Sequence, residues 1–142
     1  MAVGRRRTLC IIAHCVILKN DEQQVIVLEN ESCYYVQKED EQEVLQGSGL
    51  IIPKDHKETV FDLSEKEWND SWELLQRAKL LLDERYSPEG YSVGWNTGKV
   101  GGQTIPHSHL HVIPRFQDEP FAGKGIRHWI KQPENKRPNK KE

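Results

Sequence analysis

The segment His107-Ser108-His109-Leu110-His111-Val112-Ile113 decides how this chain is read. Three of the chain's 6 histidines stand there at every second position. In a strand, alternate side chains share a face. The spacing therefore predicts a strand over His107 to Ile113, with three imidazoles on one side and Leu110 and Val112 turned into a core. A lone histidine is an ordinary residue of a core or a surface. Three in strict alternation, opposite apolar neighbours, point to chemistry.

Two chemistries can use such a row. Two histidines at i and i+2 of a strand are a common zinc pair. The row is longer than one ion needs, because its outer Cα atoms lie about 13 Å apart at a strand rise of ~3.3 Å per residue. Hydrolytic metal sites also tend to recruit Asp or Glu, and the 28 residues from Gly90 to Gln117 contain neither. The other use is nucleophilic catalysis. Neutral imidazole, with an ordinary pKa of about 6.5, is a good nucleophile near neutrality. It can attack phosphorus and split one displacement into two through a covalent intermediate. His109 would attack, and His107 and His111 would bind phosphoryl oxygens or protonate the leaving group.

Directly upstream runs Asn96-Thr97-Gly98-Lys99-Val100-Gly101-Gly102-Gln103-Thr104. Its glycines allow backbone N–H groups to close on an anion. Asn96, Gln103 and Thr104 add uncharged donors. It is not a P-loop, since Val100 follows Lys99 and no helix is expected after it. Alone it reads equally as a glycine turn; beside the histidines it reads as the phosphate side of a site.

The rest of the chain supplies the frame. Short β-type runs come first, at Leu9 to Leu18, Val25 to Leu28, Cys33 to Val36 and Leu50 to Ile52, separated by polar turn clusters. They predict an antiparallel meander. Ser64 and Glu67 then form a capping-box pattern. Trp68, Trp72, Leu74, Leu75, Ala78, Leu81 and Leu82 recur at helical spacing up to about Tyr86, ahead of Pro88. This helix is expected to pack on a sheet with both tryptophans in the core. Strands at Tyr91 to Asn96 and His107 to Ile113 follow, and Phe121 to Lys131 shows little periodicity. Residues 1–8 read as a basic tail, 9–130 as one domain, and 131–142 as a loose, basic, disordered tail.

Composition narrows the class. A chain of 142 residues holds one domain. Apolar residues at 36% and charged residues at 30% suit a polar-surfaced protein, and no run approaches a membrane span. Arg5 to Arg7 before Leu9 to Leu18 has the outline of a signal peptide. His14 interrupts that apolar run and Lys19 to Glu22 follows as a turn, so a first strand is expected instead. Cys10, Cys15 and Cys33 cannot all pair, which predicts a reducing, cytoplasmic setting. The net charge of −2 hides an asymmetry, for residues 11–89 carry 18 carboxylates against 8 basic side chains. The carboxylate-free stretch from Gly90 to Gln117 suits an anionic ligand. It lacks the broad basic face of a nucleic-acid track.

The segment GGQTIPHSHLHVIPR at 101–115 resembles the signature of the histidine triad (HIT) family, His-x-His-x-His followed by apolar residues. The likeness extends over residues 14–130 through LENES, GLIIPKDH at 49–56, FDLSEKE, GYSVGWN and AGKGIRHWIK. The last piece is similar to the ending of bacterial members that hydrolyse diadenosine tetraphosphate. The resemblance implies an α+β homodimer, each subunit an antiparallel sheet of about five strands with one long helix. It implies hydrolysis or transfer at the α-phosphate of a nucleotide. It makes His109 the nucleophile that becomes nucleotidylated, with His111 near the phosphate and His107 in support. Asn96, Gly102, Gln103 and Thr104 fall on phosphate-side positions, and His56 matches a histidine near the site. Arg127 is placed to reach a distal phosphate. No cofactor or catalytic metal is implied.

The sequence departs from the family in three places. Cys15-Val16-Ile17-Leu18 stands where some bacterial members have the Cys-x-x-Cys of a structural zinc site. One thiolate is missing, and Cys15, His56 and His107 are what remain of that set. The acidic run from Gln37 to Gln46 replaces a usually apolar loop after a ribose-binding aspartate, a role that falls to Asp40. Ser108 replaces an apolar residue.

The expected function is cleavage of a nucleoside phosphoanhydride, a dinucleoside polyphosphate above all, through a nucleotidyl-histidine. Three alternatives stand beside it. They are a phosphoramidate hydrolase of the same family, a metal-dependent hydrolase built on the same row, and a nucleotide-binding interaction protein without turnover.

Overall fold

The structure, a computed structural model, describes residues 24–141. Five strands form one antiparallel sheet: β1 (Gln24–Glu29), β2 (Cys33–Lys38), β3 (Gly49–Pro53), β4 (Gly90–Trp95) and β5 (Leu110–Arg115). Helix α1 (Glu65–Tyr86) links β3 to β4, and a single helical turn, α2 (Ile126–Ile130), follows β5. The strand order is β1-β2-β3-β5-β4. The expected meander holds for the first three strands. After α1 the chain returns to the edge as β4, and β5 enters between β3 and β4, so the histidine strand is central. The first expected strand, Leu9 to Leu18, lies outside the described residues, as do the basic tail, Cys10 and Cys15.

Helix α1 starts where its cap predicts. Ser64 Oγ accepts from the Glu67 amide at 3.1 Å, and Glu67 Oε1 accepts from the Ser64 amide at 2.8 Å. It ends at Tyr86, and Ser87 takes a left-handed φ of 49° before Pro88. The face it buries differs from the expectation. Leu74, Ala78 and Leu82 lie fully buried against Cys33, Tyr35, Ile51, Leu110 and Val112. Each such Leu contributes about 1.5–3 kcal/mol by leaving water. The stripe continues backward through Ser71 and Glu67. Trp68 and Trp72, expected in the core, are 50% and 58% exposed. The buried line runs one residue ahead of theirs and carries two polar residues, Ser71, which is bonded, and Glu67, which is bonded through Oε1 while its Oε2 is buried without a partner among the described residues. Ser71 Oγ donates to the Glu67 carbonyl at 2.7 Å, and Lys57 Nζ meets Glu67 Oε1 at 2.9 Å. Burial raises the Glu67 carboxyl, but the Ser64 amide and the Lys57 ammonium outweigh it and hold it below its ordinary range. Trp68 instead stacks on Trp95 of edge strand β4, 5.3 Å between ring centroids.

The sheet has two dissimilar faces. The helix covers one. On the other, Tyr34, Val36 and Ile52 form a smaller cluster with Leu50 and Ile105. Along β5, Leu110, Val112 and Pro114 are buried on the helix side, while His111, Ile113 and Arg115 alternate with them in partial exposure. No helix of the described residues is long and apolar enough to cross a membrane.

Candidate active site

Strand β5 opens at Leu110, three residues later than the spacing predicts, so only His111 lies within the regular ladder. It stands between Leu50 of β3 and Gly94 of β4. His107 and His109 precede the strand, in a lead-in fixed by other bonds. The Ser108 amide donates to the Lys57 carbonyl at 2.7 Å, and the His107 amide to that of Ile105 at 2.8 Å. Both His107 and His109 are buried, at 0% and 5% exposure.

The hydrogen bonds assign the imidazole protons. His107 Nε2 lies 3.0 Å from the Pro53 carbonyl, which can only accept, so Nε2 carries a proton. Burial, aided by His56 and His109, pushes the His107 pKa down against that bond, so the ring stays neutral. Its Nδ1 is then an acceptor, and His56 Nδ1, 3.1 Å away, is the donor. His109 Nδ1 lies 2.7 Å from the His107 carbonyl and donates to it. This leaves the His109 Nε2 lone pair unspent. The His111 ring meets that of His109 edge to face, 4.9 Å between centroids. Burial, with His109 beside it, lowers the His111 pKa as well. His111 Nε2 is buried with no hydrogen-bond partner among the described residues. A buried polar group left in this state costs about 1–3 kcal/mol, which a ligand can offset.

Beside His111 opens a cleft of ≈ 300 Å³, walled by Ser92, Gly94, Asn96, Ile113 and Ile126 among others. Ser92, Gly94 and Ile126 carried no signal in the sequence, since strand pairing and the turn of α2 bring them there. Asn96 lies against Gly102, its side chain 3.5–3.8 Å from where a Cβ on that glycine would stand. Neither the Asn96 amide nor the Thr104 hydroxyl bonds another described residue, and both are exposed.

The glycine loop is organised differently from the expected cradle. The amides of Gly101 and Gly102 donate to the carbonyls of Gly98 and Lys99, and that of Gln103 also goes to Gly98. The loop is thus closed on itself. Gly101 is required there, because a Cβ would overlap the Thr97 carbonyl. Gln103 is the clasp. Its Oε1 accepts from the Gly98 amide at 2.9 Å, and its Nε2 gives to the Glu58 and Ile105 carbonyls at 2.6 and 3.0 Å. Both Nε2 hydrogens are committed within the protein.

Of the expected positions only Asn96 and His111 line this cleft; His107, His109, Gly102, Gln103 and Thr104 do not, and Asp40, Arg127 and His56 do not either. Asp40 is exposed in a short 3-10 turn, Glu39–Glu41. Arg127 is exposed on α2, one residue past Ile126. His56 is exposed and meets His107, Nδ1 to Nδ1 at 3.1 Å. Among the described residues no group of three or more His, Cys, Asp or Glu is placed to hold a metal ion. Cys15, the remaining thiol of the zinc motif, is outside them.

The bis(5'-adenosyl)-triphosphatase of Dictyostelium discoideum is 38% identical over 72 residues, 51% of this chain and 48% of that enzyme, so the match spans about half its length. An adenosine 5'-monophosphoramidase of Schizosaccharomyces pombe is 31% identical over 80 residues, 56% of this chain and 57% of the relative. The crystal structure of a HIT family protein from Bacillus anthracis is similar with a TM-score of 0.64 at 28% identity, covering 74% of this chain and 73% of that one. The HIT domain family profile matches residues 19–118. With that match over more than half its length, the chain belongs to the histidine triad family.

Proposed function

We propose that this protein is a nucleotide hydrolase that cleaves at the α-phosphate of a nucleoside phosphoanhydride, a dinucleoside polyphosphate above all, through a nucleotidyl-His109 intermediate. One observation carries the reading. The His107 carbonyl accepts a hydrogen bond from His109 Nδ1 and leaves Nε2 as a lone pair, beside a His111 whose own Nε2 has no partner among the described residues. Relatives that act on anhydrides and on a phosphoramidate support the same chemistry.

His109 Nε2 forms a bond to the α-phosphorus as the bond to the bridging oxygen breaks. That oxygen leaves with the electron pair, as a phosphate anion that needs no proton. Water then adds to phosphorus, losing a proton to solvent. The P–N bond breaks, its pair returns to Nε2, and the nucleoside monophosphate departs. His111 faces the developing charge, with Asn96, Thr104 and the Gly102 end of the loop on the phosphate side. Gln103 acts by holding that loop, and His56 acts by fixing the His107 tautomer. Asp40 takes the ribose and Arg127 a distal phosphate. A phosphoramidate is the second substrate class. Its amine leaves only when protonated, so its hydrolysis falls more steeply as pH rises.

The assembly proposed is a homodimer through the β4 edge and the half-exposed Trp68 and Trp72. The buried free thiol of Cys33 fits a reducing, cytoplasmic setting. The test is to incubate the protein with an α-labelled dinucleotide and quench it. An acid-labile protein adduct, absent from His109→Asn, is expected. Full activity without any adduct, or activity lost on chelation, would overturn the mechanism.

A further inference from the structure

A second pocket of ≈ 300 Å³ lies next along the open side of β5, sharing Ile113 with the catalytic cleft. Val44, Leu45, Phe121, Lys124 and Trp129 line it. The Phe121 and Trp129 rings meet edge to face, 5.7 Å between centroids at 73°, and form an open corner. They are 57% and 55% exposed, and Val44 is 86% exposed. Lys124 Nζ stands 5.1 Å from the Phe121 centroid and 5.5 Å from that of Trp129, with no ion pair to a described residue.

This corner is braced from β5. Arg115 donates to the carbonyls of Lys124 and Phe121 at 2.9 Å each and to Ser92 Oγ at 3.0 Å, and it pairs with Glu119. The Arg115 bond lowers the Glu119 carboxyl further. Arg115 is thus consumed in placing the aromatic pair, and Lys124 is the cation left over. A braced corner of two exposed rings with an ammonium held over them offers a flat apolar surface and a cation to a ligand that is flat and anionic.

We infer that this corner is the subsite for the leaving nucleoside of a dinucleotide, its base stacked on Phe121 and Trp129 and its adjoining phosphate paired with Lys124. The inference rests on the function proposed above and adds where the departing half binds. His111 and Arg115 are four residues apart on one strand, about 13 Å at ~3.3 Å per residue. A short polyphosphate crosses that span past Ile113. Each pocket lies at the lower end of the roughly 300–1,000 Å³ of ligand sites, room for half a dinucleotide apiece. An aromatic platform accepts any base by its π-face, and Lys124 would move from the rings to the phosphate.

The test compares two substrates on the full chain. Diadenosine polyphosphate fills both pockets; adenosine 5'-phosphoramidate, whose leaving group is ammonia, fills only the first. In Trp129→Ala and Phe121→Ala, kcat/KM for the dinucleotide is expected to fall about 5- to 100-fold, mainly through KM, as loss of one stacked base predicts. Lys124→Gln should give a smaller, salt-sensitive loss. Hydrolysis of the phosphoramidate should stay within twofold of wild type. Equal loss on both substrates, or none on either, overturns the assignment. Should wild type turn over neither, the hydrolase reading falls, and calorimetry still judges the subsite. Wild type must then bind the dinucleotide more tightly than the mononucleotide, and the Trp129→Ala variant must lose that advantage.

Discussion

His107 and His109 are two residues apart, both buried, and of one chemical type, yet their surroundings give them opposite duties. Each ring nitrogen of His107 is engaged, one by the Pro53 carbonyl and one by His56. His109 has one nitrogen engaged, and by a backbone group, the carbonyl of residue 107. A histidine saturated on both sides is a structural pin. One saturated only at Nδ1 has its tautomer set and keeps the Nε2 lone pair that the proposed mechanism needs. The contrast also separates side chain from main chain, because the carbonyl that orients His109 survives any substitution at 107.

The hardest blow to this comparison is His109→Asn. Turnover of every substrate should fall by a factor on the order of 10⁴ or more, as for removal of a covalent nucleophile. Nucleotide affinity, read by calorimetry, should change little. Retained turnover would make the two histidines equivalent and end the distinction.

His107→Ala is predicted to act differently. It leaves the buried Pro53 carbonyl without its donor and opens a cavity, costing about 2–4 kcal/mol of stability in a denaturant titration. Its rate should fall by 10²-fold or less, through loss of position. A rate loss equal to that of His109→Asn would place the His107 side chain in the chemistry.

The pH dependence sharpens the same contrast. Burial lowers the pKa of His107 and His111, so the unfolded chain binds protons that the folded one refuses. Their contribution to stability is therefore complete above the ordinary value of about 6.5 and is lost as pH falls below it. Unfolding free energy should drop between pH 7 and 5 more steeply in wild type than in His107→Gln. Identical slopes would show that the ring is not kept neutral by its surroundings.

The smallest effect is Trp72→Ala, on the exposed side of the helix, at about 0.5 kcal/mol or less of subunit stability, against about 2–5 kcal/mol for the buried Leu74→Ala. Light scattering on Trp68→Ser should report a weakened dimer. A Trp72→Ala loss equal to that of Leu74→Ala would return the tryptophans to the core.

The helix shows why part of the fold was legible and part was not. Its start and stop are local events, written in Ser64, Glu67, Ser87 and Pro88. Which way it faces is not local. The apolar count chose Trp68 and Trp72, whereas the sheet buried Glu67 and Ser71, where Lys57 and Cys33 arrive from elsewhere to meet Glu67 Oε1 and Ser71 Oγ. The site divides in the same way. The His-x-His-x-His alternation predicted a strand from His107, which the structure begins only at Leu110. That Gln103 would spend its amide on Glu58, 45 residues away, had no sequence signal. Nor had the bracing of Phe121 and Lys124 by Arg115.

By itself, then, the sequence determined the α+β sheet with its capped helix through short-range periodicity and spacing, and the family through the likeness of its motifs to the histidine triad pattern. Only the tertiary structure decided which histidine keeps a free lone pair, which helix face is dry, and where two aromatic rings meet. Those outcomes depend on hydrogen-bond partners and neighbours remote in the chain, and burial and pairing are settled only when the whole sheet has closed around them.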